Sequence, residues 1–204
     1  MRRAKEARAL ARWSVLAPLL PRTPDGQLLL RIGCGGVSAL HDVNIDARPL
    51  PHVHIIAESL FNLYMIPDSV ADMIYMSHVL EHVSHRELTS TRSEFKRVSK
   101  TGGLLRLFVP DFDKSLDVYL INGRTMRSIE RLLMGGQYYS QNFHYSIFNE
   151  DGLRNSLQDA GMIDVKLWDA SSCDNHDFTD WSNRPIEVNK RQFNISLNIS
   201  ARAP

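Results

Sequence analysis

Cysteine is scarce in this sequence: two residues in 204, Cys34 and Cys173, in unrelated contexts that suggest neither a disulfide framework nor a thiolate metal site. That scarcity predicts a reducing compartment, the cytoplasm. Long apolar runs are absent as well. No stretch approaches the roughly 20 residues that a membrane-spanning helix needs. The run from Trp13 to Leu20 is broken by Pro18 and has no small-residue cleavage site after it, so no secretory signal is predicted. Net charge is lacking too: 24 basic against 23 acidic side chains leave +1, with no field to recommend nucleic acid as a partner. Neither internal repeats nor low-complexity segments occur. With 43% hydrophobic residues, these absences leave one ordinary globular domain over residues 1–204.

The one charge asymmetry lies at the start, where Arg2, Arg3, Lys5, Arg8, Arg12 and Arg22 stand against Glu6. It predicts a basic amphipathic helix within residues 1–24 that packs Leu10, Trp13, Leu16, Leu19 and Leu20 on the domain. The same composition suits peripheral contact with a membrane. Beyond it, short apolar runs at 27–32, 43–45, 53–56, 71–76 and 104–109 read as buried strands. Helical spacing covers 85–98, 112–121, 125–134 and 149–160, the last capped by Asn149 and stopped by Gly161. Met162 to Trp168 is a further strand, and Phe193 to Ser200 alternates apolar and polar residues as a half-buried antiparallel strand does. The sequons at Asn194 and Asn198 belong to its polar face. The order predicts an α/β fold: a doubly wound, mostly parallel Rossmann-like sheet with an antiparallel edge strand.

In such a sheet the ligand site lies beyond the carboxyl ends of the strands, and the first strand delivers it. Here that strand ends in Gly33-Cys34-Gly35-Gly36. A dinucleotide fingerprint requires a third glycine at position 38, which is Ser38, and an acid about twenty residues on, whereas Asp46 follows Gly33 by only 13. The pair of glycine loop and Asp46 therefore predicts an adenosine-containing ligand whose ribose hydroxyls the carboxylate accepts, without a firmly held pyrophosphate. On this reading, replacing Asp46 costs ligand binding and little stability.

"SHVLEHVSH" poses a separate question. His78, Glu81 and His82 spell H-x-x-E-H, the inverted zincin signature, which requires both histidines on one face of a continuous helix. Ser84 to Glu87 has the form of a capping box, so the next helix begins near His85 and the motif falls on a strand-to-helix junction. That local structure opposes a zinc peptidase. No metal is assigned, and His82 reads as structural.

"LLLRIGCGG", "DVNIDARP", "IPDSVADMIYMSHVLEHV", "EFKRVSKTGGLLRLFVPDF", "NFHYSIFNEDGLRNSLQDAGM" and "ISLNISA" together resemble, in order and spacing, successive blocks of class I S-adenosylmethionine-dependent methyltransferases of the type found in sugar and polysaccharide loci. The likeness runs over residues 28–200. It implies the class I methyltransferase fold and S-adenosylmethionine as cofactor, held by Gly33, Cys34, Gly35, Asp46, Ser59 and Leu60 (with Glu58 alongside), Ser77 and His78. It explains the H-x-x-E-H string as the loop after strand four. Two positions depart from the pattern: Arg31 stands where many members carry an acid, and Val37 replaces a glycine. They motivate a second reading, a non-catalytic nucleoside-binding module.

Methyl transfer to a hydroxyl needs in-line positioning and a base. His144 and His78 are the candidate bases. Residues 135–148 form a glycine-hinged segment suited to cover a substrate, in which Tyr138, Tyr139, Gln141 and Asn142 are candidate acceptor contacts. The expected acceptor is a sugar, glycan precursor or other small molecule.

Overall fold

Leu30 and Ile32 pack toward one side of the first strand while Leu29 and Arg31 pack toward the other, and all four are buried, as in a strand covered on both faces. The structure is a computed structural model that describes residues 10–57, 59–172, 174–176 and 178–204. Five of the N-terminal charges named above (Arg2, Arg3, Lys5, Glu6 and Arg8), together with Glu58 and Cys173, lie outside the described residues.

Seven strands form one sheet. Its order is β3 (Ile55–Ile56), β2 (Asp42–Asp46), β1 (Leu29–Ile32), β4 (Ala71–Ser77), β5 (Ser99–Pro110), β9 (Ser196–Arg202) and β6 (Ile163–Leu167). The strands from β3 through β5 pair in parallel. β9 is antiparallel to both neighbours, so the reversed strand sits one place in from the edge, between β5 and β6. A hairpin of β7 (Ile186–Val188) and β8 (Arg191–Phe193) stands apart from this sheet. It falls where the alternating pattern suggested that the last strand begins: the pattern is real, but Asn194 and Ile195 interrupt it, and Ile195 is buried with Val118 and Ile129.

The helices are α1 (residues 10–16), α2 (Leu88–Val98), α3 (Phe112–Ile121), α4 (Glu130–Met134) and α5 (Glu150–Asp159). Trp13 of α1, Phe95 and Val98 of α2, and Leu153 and Leu157 of α5 belong to the main core with the apolar residues of β1, β2, β4, β5 and β9. In α1 and the turn after it, Trp13, Leu16 and Leu20 pack as expected, whereas Leu10 and Leu19 are exposed. The opposite face of the sheet, at Leu29, Met73, Tyr75 and Phe108, is covered by Trp168, Ala170 and Phe178. No described helix is long and apolar enough to cross a membrane.

Two capping expectations part company. Asn149 caps α5, accepting from the Gly152 amide at 3.1 Å. The capping box at Ser84–Glu87 does not form: α2 begins at Leu88, and Ser84 Oγ accepts instead from the Arg86 amide at 3.4 Å. The predicted helix over 125–134 is split, with a 3-10 turn at Met126–Ser128, an exit at Ile129, and then α4.

Candidate functional site

Nine residues separate β1 from β2, too few for a crossover helix, so the glycine loop leads to the next strand without a helix N-terminus behind it. A loop of this kind has no helix dipole with which to hold a pyrophosphate. Both Gly33 (φ +66°) and Gly35 (φ +57°) adopt left-handed backbone, and the amides of Gly33 and Cys34 donate to the Ile45 carbonyl of β2. A Cβ on Gly33 meets Val79 Cγ2 at 2.5 Å, so glycine is required there by the segment after β4. Among the described residues the space around Gly35 and Gly36 is open, with Arg48 Nη2 3.7 Å from a Cβ added at Gly35 and nothing within 4 Å of one added at Gly36.

Asp46 ends β2 beside this loop. Its Oδ2 accepts from the Gly35 amide (2.8 Å), and its Oδ1 accepts from Arg48 N (2.9 Å) and Arg48 Nε (3.1 Å). Burial pushes the carboxyl up, but the hydrogen bonds from Arg48 and Gly35 outweigh it and hold Asp46 below the usual carboxylate range. Asp46 therefore organises its own loop, and the expectation that its loss leaves stability almost unchanged is corrected: three protein hydrogen bonds depend on it. Cys34 is buried against the same loop, and burial with the neighbouring Asp46 charge raises its thiol to about 11, so it is a neutral wall.

These residues line one cavity of about 880 Å³ at the carboxyl ends of β1, β2 and β4. Of the predicted cofactor contacts, Gly33, Cys34, Gly35, Asp46, Ser59, Leu60, Ser77 and His78 all border it. Ser77 Oγ is buried with no hydrogen-bond partner among the described residues, a polar atom left over beside a cavity.

The far wall comes from the residues after β4 and from 136–145. Ser77 ends the strand, His78 takes φ +52°, and Leu80–His82 form a single 3-10 turn, so no helix carries His78 and His82 on a common face. The zincin arrangement of His78 and His82 is absent. Ser196 Oγ donates to the Trp181 carbonyl and accepts from His78 Nε2–H at 2.7 Å. His78 Nδ1 is thereby left as a lone pair, 3.5 Å from Glu81 Oε1. His82 Nδ1–H donates to the Phe143 carbonyl (2.9 Å) and His144 Nδ1–H to the Leu132 carbonyl (3.0 Å), which leaves Nε2 of each ring unprotonated. Burial, with the neighbouring histidines, lowers His78 to about 3, and burial with His82 lowers His144 to about 4; burial lowers His82 as well. All three rings are neutral near pH 7. Glu81 is 1% exposed, and burial raises its carboxyl to about 8; neither oxygen has a hydrogen-bond partner among the described residues.

Residues 135–148 are anchored at their far end. The amides of Tyr145 and Ser146 both donate to the Glu81 carbonyl, and Ser146 Oγ donates to the Val83 carbonyl. Gln137 N donates to Asn142 O, closing the tip. Tyr139, Gln141 and Asn142 line the cavity, whereas Tyr138 is 73% exposed and lies outside its lining, beside the Arg131 guanidinium. Arg48 links the two walls, its guanidinium 4.9 Å from the Tyr139 ring centre while it bonds Asp46.

Sequence reasoning missed three groups. Arg48 lies within "DVNIDARP", but nothing in that string assigns it a role. Asp180 accepts from Tyr75 Oη (2.6 Å) and the Ser182 amide (2.8 Å), and it lies 3.8 Å from Arg31 Nη1. Burial pushes Asp180 up, but hydrogen bonds from His176, Ser182 and Tyr75 hold it well below the carboxylate range. Asp180 and Tyr75 are 105 positions apart, which left no local pattern to read. Arg127 and Arg131, also in the lining, lay unremarked in a helical stretch.

Comparison with known proteins agrees with this architecture. Residues 37–107 match the family described as "Methyltransferase domain". A S-adenosylmethionine-dependent methyltransferase from Archaeoglobus fulgidus is 17% identical with a TM-score of 0.50, covering 99% of this chain and 94% of its own. One from Methanosarcina mazei is 17% identical with a TM-score of 0.53, covering 90% and 98%. The complex of the Haloferax volcanii Trm112 methyltransferase activator with a methyltransferase is 12% identical with a TM-score of 0.55, covering 100% and 93%. No curated protein matches the sequence at a significant level. At these identities the structural likeness establishes the fold.

Proposed function

We propose that the chain, which has the class I methyltransferase fold and matches a methyltransferase domain over residues 37–107, is an S-adenosylmethionine-dependent methyltransferase that methylates an oxygen of a polar small molecule, a sugar or glycan precursor, in the cytoplasm. The observation that carries this reading is one cavity with two dissimilar walls: the glycine loop and Asp46 on one side, Glu81, His82, His144 and the Tyr139–Asn142 tip on the other. Gly33, Cys34, Gly35, Asp46, Ser59, Leu60 and Ser77 would hold S-adenosylmethionine, for which the open space at Gly35 and Gly36 and the unpartnered Ser77 hydroxyl are suited. When bound, that cofactor supplies a methyl group on a sulfonium to a nucleophile held in line with it.

The residues of this chain divide the remaining work. His144 presents a free Nε2 to the cavity and activates the acceptor hydroxyl through that atom. His78 has Nε2–H engaged by Ser196, which fixes its ring in the cavity wall with Nδ1 3.5 Å from Glu81 Oε1. Tyr139, Gln141 and Asn142 orient the acceptor, and Tyr138 stands at the rim. Arg48, Arg127 and Arg131 in the lining favour an acceptor that carries an acidic or phosphate group. The Arg31 charge, which motivated a non-catalytic reading, is met by Asp42 at 3.0 Å and so leaves no uncompensated cation by the loop.

Calorimetry with S-adenosylhomocysteine, followed by a transfer assay over sugars, sugar phosphates and nucleotide sugars, tests the proposal. Expected are micromolar binding and turnover with a phosphorylated acceptor. Absence of binding at millimolar S-adenosylhomocysteine refutes it; tight binding with no turnover on any hydroxyl acceptor favours the binding module.

A further inference from the structure

We infer that Glu81, His82 and His144 form a binding site for one divalent first-row transition-metal ion, facing the acceptor wall of the cavity. One donor atom from each lies within 4.8 Å of the other two, and His144 Nε2 is 3.9 Å from Glu81 Oε1. Two histidine nitrogens and one carboxylate are a donor set that such ions favour, with positions left open for a further ligand. All three residues line the cavity, so the open positions face the space assigned to the acceptor.

Three features separate this cluster from a chance gathering of polar groups. First, Glu81 is buried with both carboxylate oxygens unpartnered among the described residues, where a structural glutamate in this setting would have acquired donors. Second, His82 and His144 each spend Nδ1–H on a backbone carbonyl, of Phe143 and Leu132 respectively. That is the arrangement by which metal-binding histidines are oriented and their Nε2 lone pairs aimed. Third, the two ligand-bearing segments are stitched together, because the Glu81 carbonyl accepts from both Tyr145 and Ser146. Ligands about 2.1 Å from a tetrahedral ion lie about 3.4 Å apart, so binding would draw the widest pair together by roughly 1.5 Å, within reach of side-chain rotation.

This inference rests on the reading of the cavity as an acceptor site and replaces direct proton removal by His144: with Nε2 on the ion, an acceptor hydroxyl bound to that ion would be more acidic and would give its proton to water in the cavity. The zincin pairing of His78 with His82 plays no part, since His144 replaces His78 in the set.

The test uses the full chain, dialysed against a chelator and titrated with Co²⁺ and then Zn²⁺. Expected are one Co²⁺ per chain with visible d–d bands of a nitrogen–oxygen site, displacement by Zn²⁺, and a Zn²⁺-dependent rise in melting temperature. Glu81→Gln and His144→Gln are expected to weaken binding at least about 100-fold, more than loss of an outer-shell partner does. His85→Asn, at an exposed site three residues beyond His82, leaves it unchanged. The Co²⁺ spectrum of the parent chain needs no variant and so stands even where a substitution disturbs folding. Absence of stoichiometric uptake by the parent, or uptake equal in the folded Glu81→Gln and His144→Gln chains, overturns the inference. S-adenosylhomocysteine binding measured on the same preparations separates the two claims. A chain that takes the nucleoside and no ion refutes the metal site alone; one that takes the ion and no nucleoside refutes the proposed function and leaves the metal site standing.

Discussion

Three donors converge on the Asp46 carboxylate, the Gly35 amide and the amide and Nε of Arg48, and this residue ends the strand beside the glycine loop. Replacing Asp46 with alanine removes bonds to an ionised group worth roughly 1.5 to 3 kcal/mol each at most, part of which water recovers. The expected outcome is double: S-adenosylhomocysteine binding weakened at least tenfold, and a melting temperature several degrees lower without ligand, since about 2 kcal/mol moves a chain of this size by roughly 4 to 8 °C. Calorimetry and thermal unfolding of the same variant read both. Unchanged nucleoside affinity would show that loop and strand end do not form one binding site. Gly33 teaches a related point at single-residue scale. Its glycine reads from sequence as room for a ligand, yet the atom nearest an added Cβ is Val79 Cγ2, so packing within the protein already forbids any larger residue.

At the scale of elements, residues 135–148 depend on Gly135, whose φ is +78° and whose added Cβ would lie 2.5 Å from the Asn142 carbonyl oxygen and 3.0 Å from the His144 ring. Gly135→Ala is therefore expected to displace His144 and to cost turnover at least about tenfold, while S-adenosylhomocysteine affinity stays within twofold because Gly35 and Asp46 are untouched. Steady-state kinetics beside calorimetry checks the split; equal losses in both would mean that the segment serves the nucleoside and not the acceptor. The same elements show what could be read beforehand. Strands with continuous apolar runs, such as Ala71–Ser77, and the Asn149 cap of α5 were legible because burial on both faces and a side-chain cap leave local signatures. The placement of Gly33, Gly35 and Asp46 at one loop and strand end was legible because they sit at fixed offsets from a strand; that they hold a cofactor is part of the proposal. Ser84–Glu87 misled because a capping box competes with whatever the preceding turn does with its own carbonyls, and here the 3-10 turn at Leu80–His82 delays α2 to Leu88. The short hairpin and the meeting of Glu81 with His144 arise from tertiary contacts, for which no periodicity exists to be read.

Across the whole molecule, Asp180 ties the segment after β6 to the sheet through Tyr75 and Arg31. Its carboxyl is held below the ordinary range in the folded chain, so its contribution to stability is present above the unfolded value of about 3.9 and is lost as pH falls through and below it. Denaturant melts from pH 7 down to pH 3 are expected to show the parent losing stability on that acid limb, with Asp180→Asn about 2 kcal/mol weaker at pH 7 and flatter in acid. Parallel curves for the two chains would remove Asp180 from the account. The placement of β9 bears on how the chain is made. Residues 196–202 lie between β5 and β6, yet they are the last of the three to leave a ribosome. From the completion of β6 until β9 emerges, the edge of β5 that β9 covers, Leu104 to Pro110, with Leu105, Leu107 and Val109 packed in the core, lacks its native neighbour. An open edge of that length invites pairing with other nascent chains. A chain stopped after Ile195 is accordingly expected to sediment with the insoluble fraction of a lysate, and recovery of it as a soluble monomer would show that the edge is guarded by something other than β9.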